Sequence, residues 1–288
     1  MFPAGTPLEP RRTADALHGP GIGDNCLGLA ALLELARGLA TRDDAPKHPI
    51  LLAATVGEEG LGDLRGARAL VEDHACDAFV ALEGHGRDTL QTAGIGSARL
   101  RATFTAPGGH SWSDRGSPSA VHALLTAGAA AVDAADDAHV NVGVVSGGTS
   151  INTIAGTASA EIDLRDADDA RLEATRGRVV TALRAATPRG VELAIEPLGR
   201  RPAGTTPHDH PLVEAARAAR RAAGLDPAEE NASSTDANAA LGRGIPAICL
   251  GLSHGANAHR LDECVEIEPL AAGLAVVERV VEALASGL

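Results

Sequence analysis

The sequence is nearly devoid of aromatic side chains. Its 288 residues include no tyrosine, a single tryptophan (Trp112) and three phenylalanines, and Lys47 is the only lysine although arginine is frequent. The core must therefore be filled by Leu, Val, Ile and a large number of Ala residues. We attribute this bias to a gene rich in G and C, and not to function.

The cysteines form no recognisable pattern. Cys26, Cys76, Cys249 and Cys264 are widely scattered, without a C-x-x-C pair or the compact spacing of a disulfide framework. This usage predicts reduced thiols in a cytoplasmic protein. There is also no long uncharged apolar run and no basic and apolar leader after Met1, so we expect neither a membrane span nor a signal peptide.

Basic residues are fewer than acidic ones in this sequence. The chain has 38 acidic against 25 basic residues and a formal net charge of -13, which repels phosphate backbones and argues against nucleic-acid binding. The hydrophobic share of 44% indicates a soluble globular protein. Its length suits one large domain or two ordinary ones, and either can bury a substantial core.

One apolar run, residues 50–56, ends in Gly57 and two adjacent carboxylates, Glu58 and Glu59. Such a run predicts a strand that is buried on both faces, as in a sheet covered by helices. Neighbouring side chains at a strand end point in opposite directions, so one glutamate can bind a metal while the other moves protons. The alternative is that both simply begin the next helix, where negative charge is favourable.

The next elements repeat this pattern. Residues 64–72 are predicted to form a helix and residues 78–83 a second buried strand that ends on Glu83. A strand, a helix and a strand in this order predict a right-handed parallel unit, whose strand carboxyl ends form the site. Glu58, Glu59 and Glu83 should then converge. Three crowded carboxylates repel one another, which a divalent metal would resolve.

From about residue 95 the pattern changes to period two, in residues 98–105, 139–146 and 158–165, with helices predicted at 120–133 and 169–186. This combination predicts a small α+β insert with an antiparallel sheet. A predicted helix at 211–223, a strand at 245–251 and a final helix at 269–284 then return to the covered sheet. We therefore predict a discontinuous α/β domain of residues 1–95 and 203–288, with an inserted domain of residues 96–202.

Eight short motifs run in order along the chain, and together they resemble the aminoacylase and carboxypeptidase G type of zinc hydrolase, which includes peptidase T-like enzymes, acetylornithine deacetylase and succinyl-diaminopimelate desuccinylase. The motifs are Gly23-Asp24-Asn25, Val56-Gly57-Glu58-Glu59-Gly60, Ala81-Leu82-Glu83, Gly109-His110-Ser111-Trp112, Gly147-Gly148-Thr149-Ser150-Ile151-Asn152, Asp163-Leu164-Arg165, Ser234-Thr235-Asp236-Ala237-Asn238 and His259-Arg260-Leu261-Asp262-Glu263. The resemblance implies an α/β fold with a mostly parallel sheet covered by helices, and an inserted lid and dimerisation domain. It also implies a hydrolase that cleaves peptide or N-acyl amide bonds of small substrates through a metal-activated water, as an exopeptidase or an amino-acid deacylase.

The resemblance further implies a metal site. Asp24 would bridge two zinc ions, Glu59 and Glu83 would bind opposite metals, His259 would complete the second metal's ligands, and Glu58 would be the general base that activates water at the metal. One or two Zn²⁺ ions are expected, and Co²⁺ or Mn²⁺ would accept the same ligands. The alternatives are a helix cap for Asp24, an ordinary loop histidine for His259 and a surface carboxylate for Glu83.

By the same resemblance the insert forms a homodimer. His110 would help to stabilise the oxyanion in a neighbouring subunit's site, Asn152 would lie near it, and Arg165 would hold a substrate carboxylate. Arg165 could instead pair with Asp163 or Asp166. We expect Trp112 to pack within the insert.

The His-x-Asp motif of this family, which carries the first metal ligands, is absent. Phe2-Pro3 resembles the end of the segment that follows the motif, so we expect a start-truncated reading of a longer gene, or a fragment with weakened or absent activity. Such a chain should expose apolar surface or an unpaired strand edge. The alternative to an enzyme is a truncated, non-catalytic, dimerising homologue that binds at most one metal.

Overall fold

The computed structural model describes residues 5–42 and 46–287, and the chain divides into two units. One unit comprises residues 1–94 and 204–288, and the other runs from Ile95 to Ala203. The second unit starts and ends within one residue of the predicted insert. Phe2 and Pro3 lie outside the described residues.

Strands and helices follow one another throughout both units. The strands are β1 Arg11–Arg12, β2 Ala16–His18, β3 Phe79–Glu83, β4 Thr89–Gly94, β5 Gly96–Thr105, β6 Gly109–His110, β7 His139–Gly147, β8 Thr153–Ile154, β9 Thr157–Asp166, β10 Glu192–Arg201, β11 Gly204–Thr205, β12 Glu229–Ser233, β13 Ala247–Gly251, β14 Gly255–Ala256 and β15 Cys264–Glu266. The helices are α1 Gly28–Ala40, α2 Arg65–Asp73, α3 Ala120–Ala134, α4 Asp169–Ala186, α5 Pro211–Ala222, α6 Ala237–Leu241 and α7 Leu270–Ser286. The predicted α/β fold is confirmed.

The first unit is built on a mixed five-stranded sheet. Its strands follow the order β11, β4, β13 and β3, with β12 also paired to β4. The β13–β3 and β12–β4 pairs are parallel, and the β13–β4 and β11–β4 pairs are antiparallel. Apolar side chains from β13, α5 and α7 pack into one core, in which Leu212, Ile248 and Val280 are fully buried. The sheet therefore places Glu83 at the carboxyl end of β3, its half-buried edge strand.

Residues 50–56, predicted as a buried strand, belong to no strand. None of the strands in the described ranges pairs with them, and the side chains of Leu51 and Val56 remain 59% and 64% exposed. Their apolar character predicted burial correctly only in part. It did not predict the backbone conformation, because a strand also requires a neighbour for its backbone hydrogen bonds.

Residues 5–23, which are rich in Gly and Pro and show no periodicity, also contain two short strands. Strands β1 and β2 form a hairpin, and β2 pairs with β15 near the far end of the chain. The Gly/Pro-rich composition hid this, because three-residue strands leave no period to detect. The pairing brings the segment around Asp24 next to the segment that follows His259.

The second unit has a regular four-stranded antiparallel sheet in the order β10, β5, β9 and β7. Helices α3 and α4 pack against it over a core that includes Phe104, Leu164 and Leu183. Trp112 does not pack in this core, contrary to expectation. Its side chain is 73% exposed, and the Arg115 guanidinium lies 5.6 Å from its ring centroid.

Within the described ranges, none of the helices combines the length and the apolar character that crossing a bilayer requires.

Candidate metal centre

Asp24, Glu59 and His259 meet at one point of the first unit. Each offers one ligand atom, and the three atoms all lie within 4.8 Å of one another. His259 Nε2 lies 2.6 Å from Asp24 Oδ2 and 3.0 Å from Glu59 Oε1. Residues that are 235 positions apart in the sequence thus share one site.

Asp24 is held by the tight turn that precedes α1. The adjacent Asn25 donates from Nδ2 to the Leu82 carbonyl at 2.7 Å, and its Oδ1 accepts from the Gly28 amide at 3.0 Å. Asn25 therefore caps the start of α1 and fastens the turn to β3. Asp24 is left to face the site, and the helix-cap alternative for it does not apply.

Glu58 and Glu59 follow the extended residues 50–56. Gly57 has φ +72°, and a Cβ there would lie 2.5 Å from the Arg65 guanidinium carbon, so this sharp bend requires glycine. The Glu59 carbonyl accepts from the Gly62 amide at 2.8 Å. Helix α2 begins only at Arg65, so the two glutamates do not open it.

His259 lies in a strained loop. It has φ +65° and Asn257 has φ +62°, a left-handed backbone that non-glycine residues adopt uncommonly. Asn257 Nδ2 donates to Asp262 Oδ2 at 3.0 Å, which helps to hold the turn. Strain of this kind persists where the surrounding structure fixes it, and such positions cluster at functional sites.

The electrostatics of the site are those of crowded anions. Burial, with the charges of Asp24 and Glu58 added, raises the pKa of Glu83 to about 8. Burial and the Glu59 charge raise the pKa of Asp24. Burial alone would lower the pKa of His259, but the charges of Glu59 and Asp24 outweigh it and raise that pKa. The site therefore stabilises positive charge.

A cleft of about 1130 Å³ is lined by Asp24 and Glu59 of this site. Glu58, Glu59 and Glu83 line it together with residues 50–55 and the whole of β3, but only Glu59 of the three belongs to the cluster with Asp24 and His259. Asp236, for which no role was predicted, also lines the cleft and accepts from Thr55 Oγ1 at 2.5 Å. The motif of residues 234–238 was the available signal for it.

The three predicted residues of the second unit are engaged in local contacts. His110 Nδ1 accepts from the Trp112 and Ser113 amides, each at 3.3 Å, and Asn152 Oδ1 accepts from Ser150 Oγ at 3.0 Å. Arg165 Nε donates to Asp163 Oδ2 at 2.8 Å. This pair supports the structural alternative for Arg165, and the substrate roles of all three residues stay predictions.

The residues present fit a divalent cation. Zinc ligands lie about 2.0–2.2 Å from the ion, so donor atoms of one site are at most about 4.4 Å apart. His259 Nε2, at 2.6 and 3.0 Å from the two carboxylate oxygens, lies within this limit. Imidazole nitrogen and carboxylate oxygen are both zinc ligands, and a catalytic zinc site commonly has three protein ligands. Burial first, and neighbouring negative charges second, raise the pKa values of Asp24 and Glu83, and a bound cation would offset both effects.

Comparison with known proteins yields a family and a set of structural neighbours. The model of the family described as Peptidase family M20/M25/M40 matches the sequence over residues 2–283. No curated protein matches the chain.

Among solved structures, aminopeptidase PepT from Bacillus cereus superposes with a TM-score of 0.78 at 23% identity, covering 98% of this chain and 78% of that one. A tripeptidase from Staphylococcus aureus gives 0.80 at 21% identity, covering 96% and 76%. An amidase of the hydantoinase/carbamoylase family from Burkholderia vietnamiensis gives 0.68 at 17%, covering 98% and 81%. At these identities the likeness shows the fold alone.

Proposed function

Since the chain belongs to Peptidase family M20/M25/M40 and is thus a hydrolase of peptide or amide bonds, we propose that it acts through a divalent metal held by Asp24, Glu59 and His259. The convergence of these three side chains within 4.8 Å is the observation that carries the proposal. Glu83, at the end of β3, is a further candidate ligand.

Glu58 acts as the general base in this proposal. It lines the same cleft, and its charge contributes to the raised pKa of Glu83, so it lies close to the cluster. The ion, when bound, supplies Lewis-acid chemistry that polarises the scissile carbonyl and acidifies water. Glu58 takes the proton from the attacking water and delivers it to the departing amine nitrogen.

The substrates we propose are small peptides or N-acyl amino acids. The names of the neighbours, an aminopeptidase, a tripeptidase and an amidase, support both types of bond. His110 and Asn152 are proposed to stabilise the oxyanion, and Arg165 to hold a substrate carboxylate in exchange for its bond to Asp163. The native ion is proposed to be Zn²⁺, with Co²⁺ or Mn²⁺ as substitutes.

A cytoplasmic homodimer is the proposed state of the protein. Cys26, Cys76, Cys249 and Cys264 are all free thiols, as a reducing compartment requires. In the second unit, the exposed apolar side chains of α3 and of the edge strand β7 support a self-association surface. They are Leu125, Val132, Val144 and Val145. Light scattering of the purified protein tests the oligomeric state.

The experiment for the reaction is Glu58→Gln, assayed on a panel of dipeptides and N-acyl amino acids with Zn²⁺, Co²⁺ or Mn²⁺ added. Loss of a general base lowers kcat by about 10²- to 10⁴-fold, while zinc content measured by atomic emission should not change. The matched control is Glu161→Gln, which removes a glutamate that pairs with Arg101 at 2.7 Å in the second unit.

Two results would count against the proposal. Full activity in Glu58→Gln would reject this residue as the base. A wild-type protein that binds no metal and turns over no substrate would instead favour the non-catalytic, dimerising homologue.

A further inference from the structure

Glu263 is the most completely buried charged side chain in the neighbourhood of the site, with 0% of its surface exposed. Its Oε2 accepts from the Gly21 amide at 2.7 Å, and its Oε1 accepts from the Gly23 and Asp24 amides at 3.1 and 2.8 Å. Because a carboxylate only accepts, His85 donates to it from Nε2 at 2.7 Å. Four donors therefore surround one buried carboxylate.

These bonds join three segments that each carry a residue of the metal centre. Glu263 follows His259 by four positions, and His85 follows Glu83 by two. The third segment ends on Asp24 itself, whose own N–H is one of the donors. Since buried polar groups are costly when a partner is lost, displacing any of the three segments leaves the carboxylate under-satisfied.

The backbone segments around Glu263 are closely packed against one another. A Cβ on Gly23 would lie 2.3 Å from His85 Nε2, and a Cβ on Gly84 would lie 2.1 Å from the Gly23 carbonyl oxygen. The two backbones can therefore approach this closely only because both residues are glycine. The position of Asp24 relative to β3 is set by contacts behind the metal centre as well as by the ion.

We propose that Glu263, together with His85, is a positioning pair for the metal centre. Glu263 orients Asp24 through the amides of residues 21, 23 and 24, and it locks the Glu83 and His259 segments to that turn. Neither residue touches the ion or the substrate. The inference rests on the proposed function, because it assumes that Asp24 binds a metal.

Glu263→Gln tests the role. An amide keeps one accepting oxygen but turns an NH₂ group toward backbone donors, so the turn that carries Asp24 shifts. Loss of a group that orients metal ligands lowers metal affinity by about 10- to 100-fold. Zn²⁺ affinity is measured by competition with a chromophoric chelator, and the visible absorption spectrum of the Co²⁺-loaded protein reports the ligand geometry.

His85→Gln is the milder variant, since it removes a single hydrogen bond and keeps the carboxylate. We expect a smaller loss of Zn²⁺ affinity with the same direction of change in the Co²⁺ spectrum. The matched control is His254→Gln, which breaks another histidine–carboxylate bond of the same unit, from Nε2 to Asp88 Oδ2 at 2.7 Å. His254 is more exposed and should leave Zn²⁺ affinity unchanged.

Thermal unfolding of the metal-free proteins separates positioning from stability. A variant that is less stable but has wild-type Zn²⁺ affinity and an unchanged Co²⁺ spectrum would overturn the positioning role and leave the proposed function intact. Absence of Zn²⁺ binding in the wild-type protein would overturn the proposed function itself. Should Glu263→Gln fail to fold, the Zn²⁺ affinity of His85→Gln decides the question.

Discussion

The two units of the molecule use their strands differently. In the second unit, β5 and β9 pair along ten residues without a register shift, and the same elements supply its core. In the first unit, no paired strand of the described five-stranded sheet is longer than the six residues of β4, and the candidate metal centre lies in segments between regular elements. Regular strand pairing forms the sheet of the second unit, whereas contacts between segments distant in sequence bring together the candidate site residues of the first unit.

Among the tests of this contrast, Phe104→Ala should have the largest effect. Phe104 is fully buried in the core of the second unit, and truncating such a side chain costs about 3–5 kcal/mol of unfolding free energy. Calorimetry should show that one unfolding transition shifts to a lower temperature than in the wild type. Zn²⁺ affinity should stay at the wild-type value, because the first unit has its own core. A parallel fall in Zn²⁺ affinity would show that the two units do not keep separate cores.

The second test concerns the crowded carboxylates of the first unit. Glu83 has a pKa of about 8 in the folded, metal-free protein against an ordinary value of 4.5. Its contribution to stability is therefore fully present below pH 4.5 and is lost as the pH rises through about 8, with a slope of up to about 1.4 kcal/mol per pH unit. Glu83→Gln, which mimics the protonated carboxyl group, should remove this slope.

Urea unfolding of both proteins with a chelator present, at several values between pH 5 and 8, measures the effect. The stability of the wild type relative to Glu83→Gln should fall steadily over this range. Two curves that run parallel would mean that the carboxyl group is already ionised in the folded protein.

The smallest effect is expected at the helix starts of the second unit. Asp168 Oδ1 accepts from the Arg171 amide at 2.8 Å and caps α4, so Asp168→Ala should cost about 1 kcal/mol. Ser119 caps α3 through a longer contact of 3.4 Å, and Ser119→Ala should cost less. Denaturant unfolding measures both variants, and the reverse order would show that these two contact lengths do not reflect cap strength.

The sequence predicted the second unit well because local patterns determine it. The residue range of α4 was predicted in full, and β5, β7 and β9 were each predicted within two residues of their ends. Strand β10 was missed because Pro197 and Gly199 interrupt its alternation, where the register also shifts. The roles of the unit as a lid and in dimerisation stay predictions.

In the first unit, motif order identified the family, which the comparison confirms, and it brought attention to Asp24, Glu59 and His259. Periodicity failed at residues 50–56, because apolar character does not reveal whether a strand has a neighbour. Periodicity in the sequence also gave no sign of the contacts of Glu263. The role of that residue arises from three amides located some 240 positions earlier in the chain.

Trp112 gives the molecule an unusual optical property. With no tyrosine in the chain, this exposed side chain in the second unit is its only strong ultraviolet fluorophore. Intrinsic emission will therefore follow the second unit, and unfolding of the first unit, or binding of a metal ion to it, will give almost no signal. Kinetic studies of the first unit need a reporter of their own, such as the colour of bound cobalt.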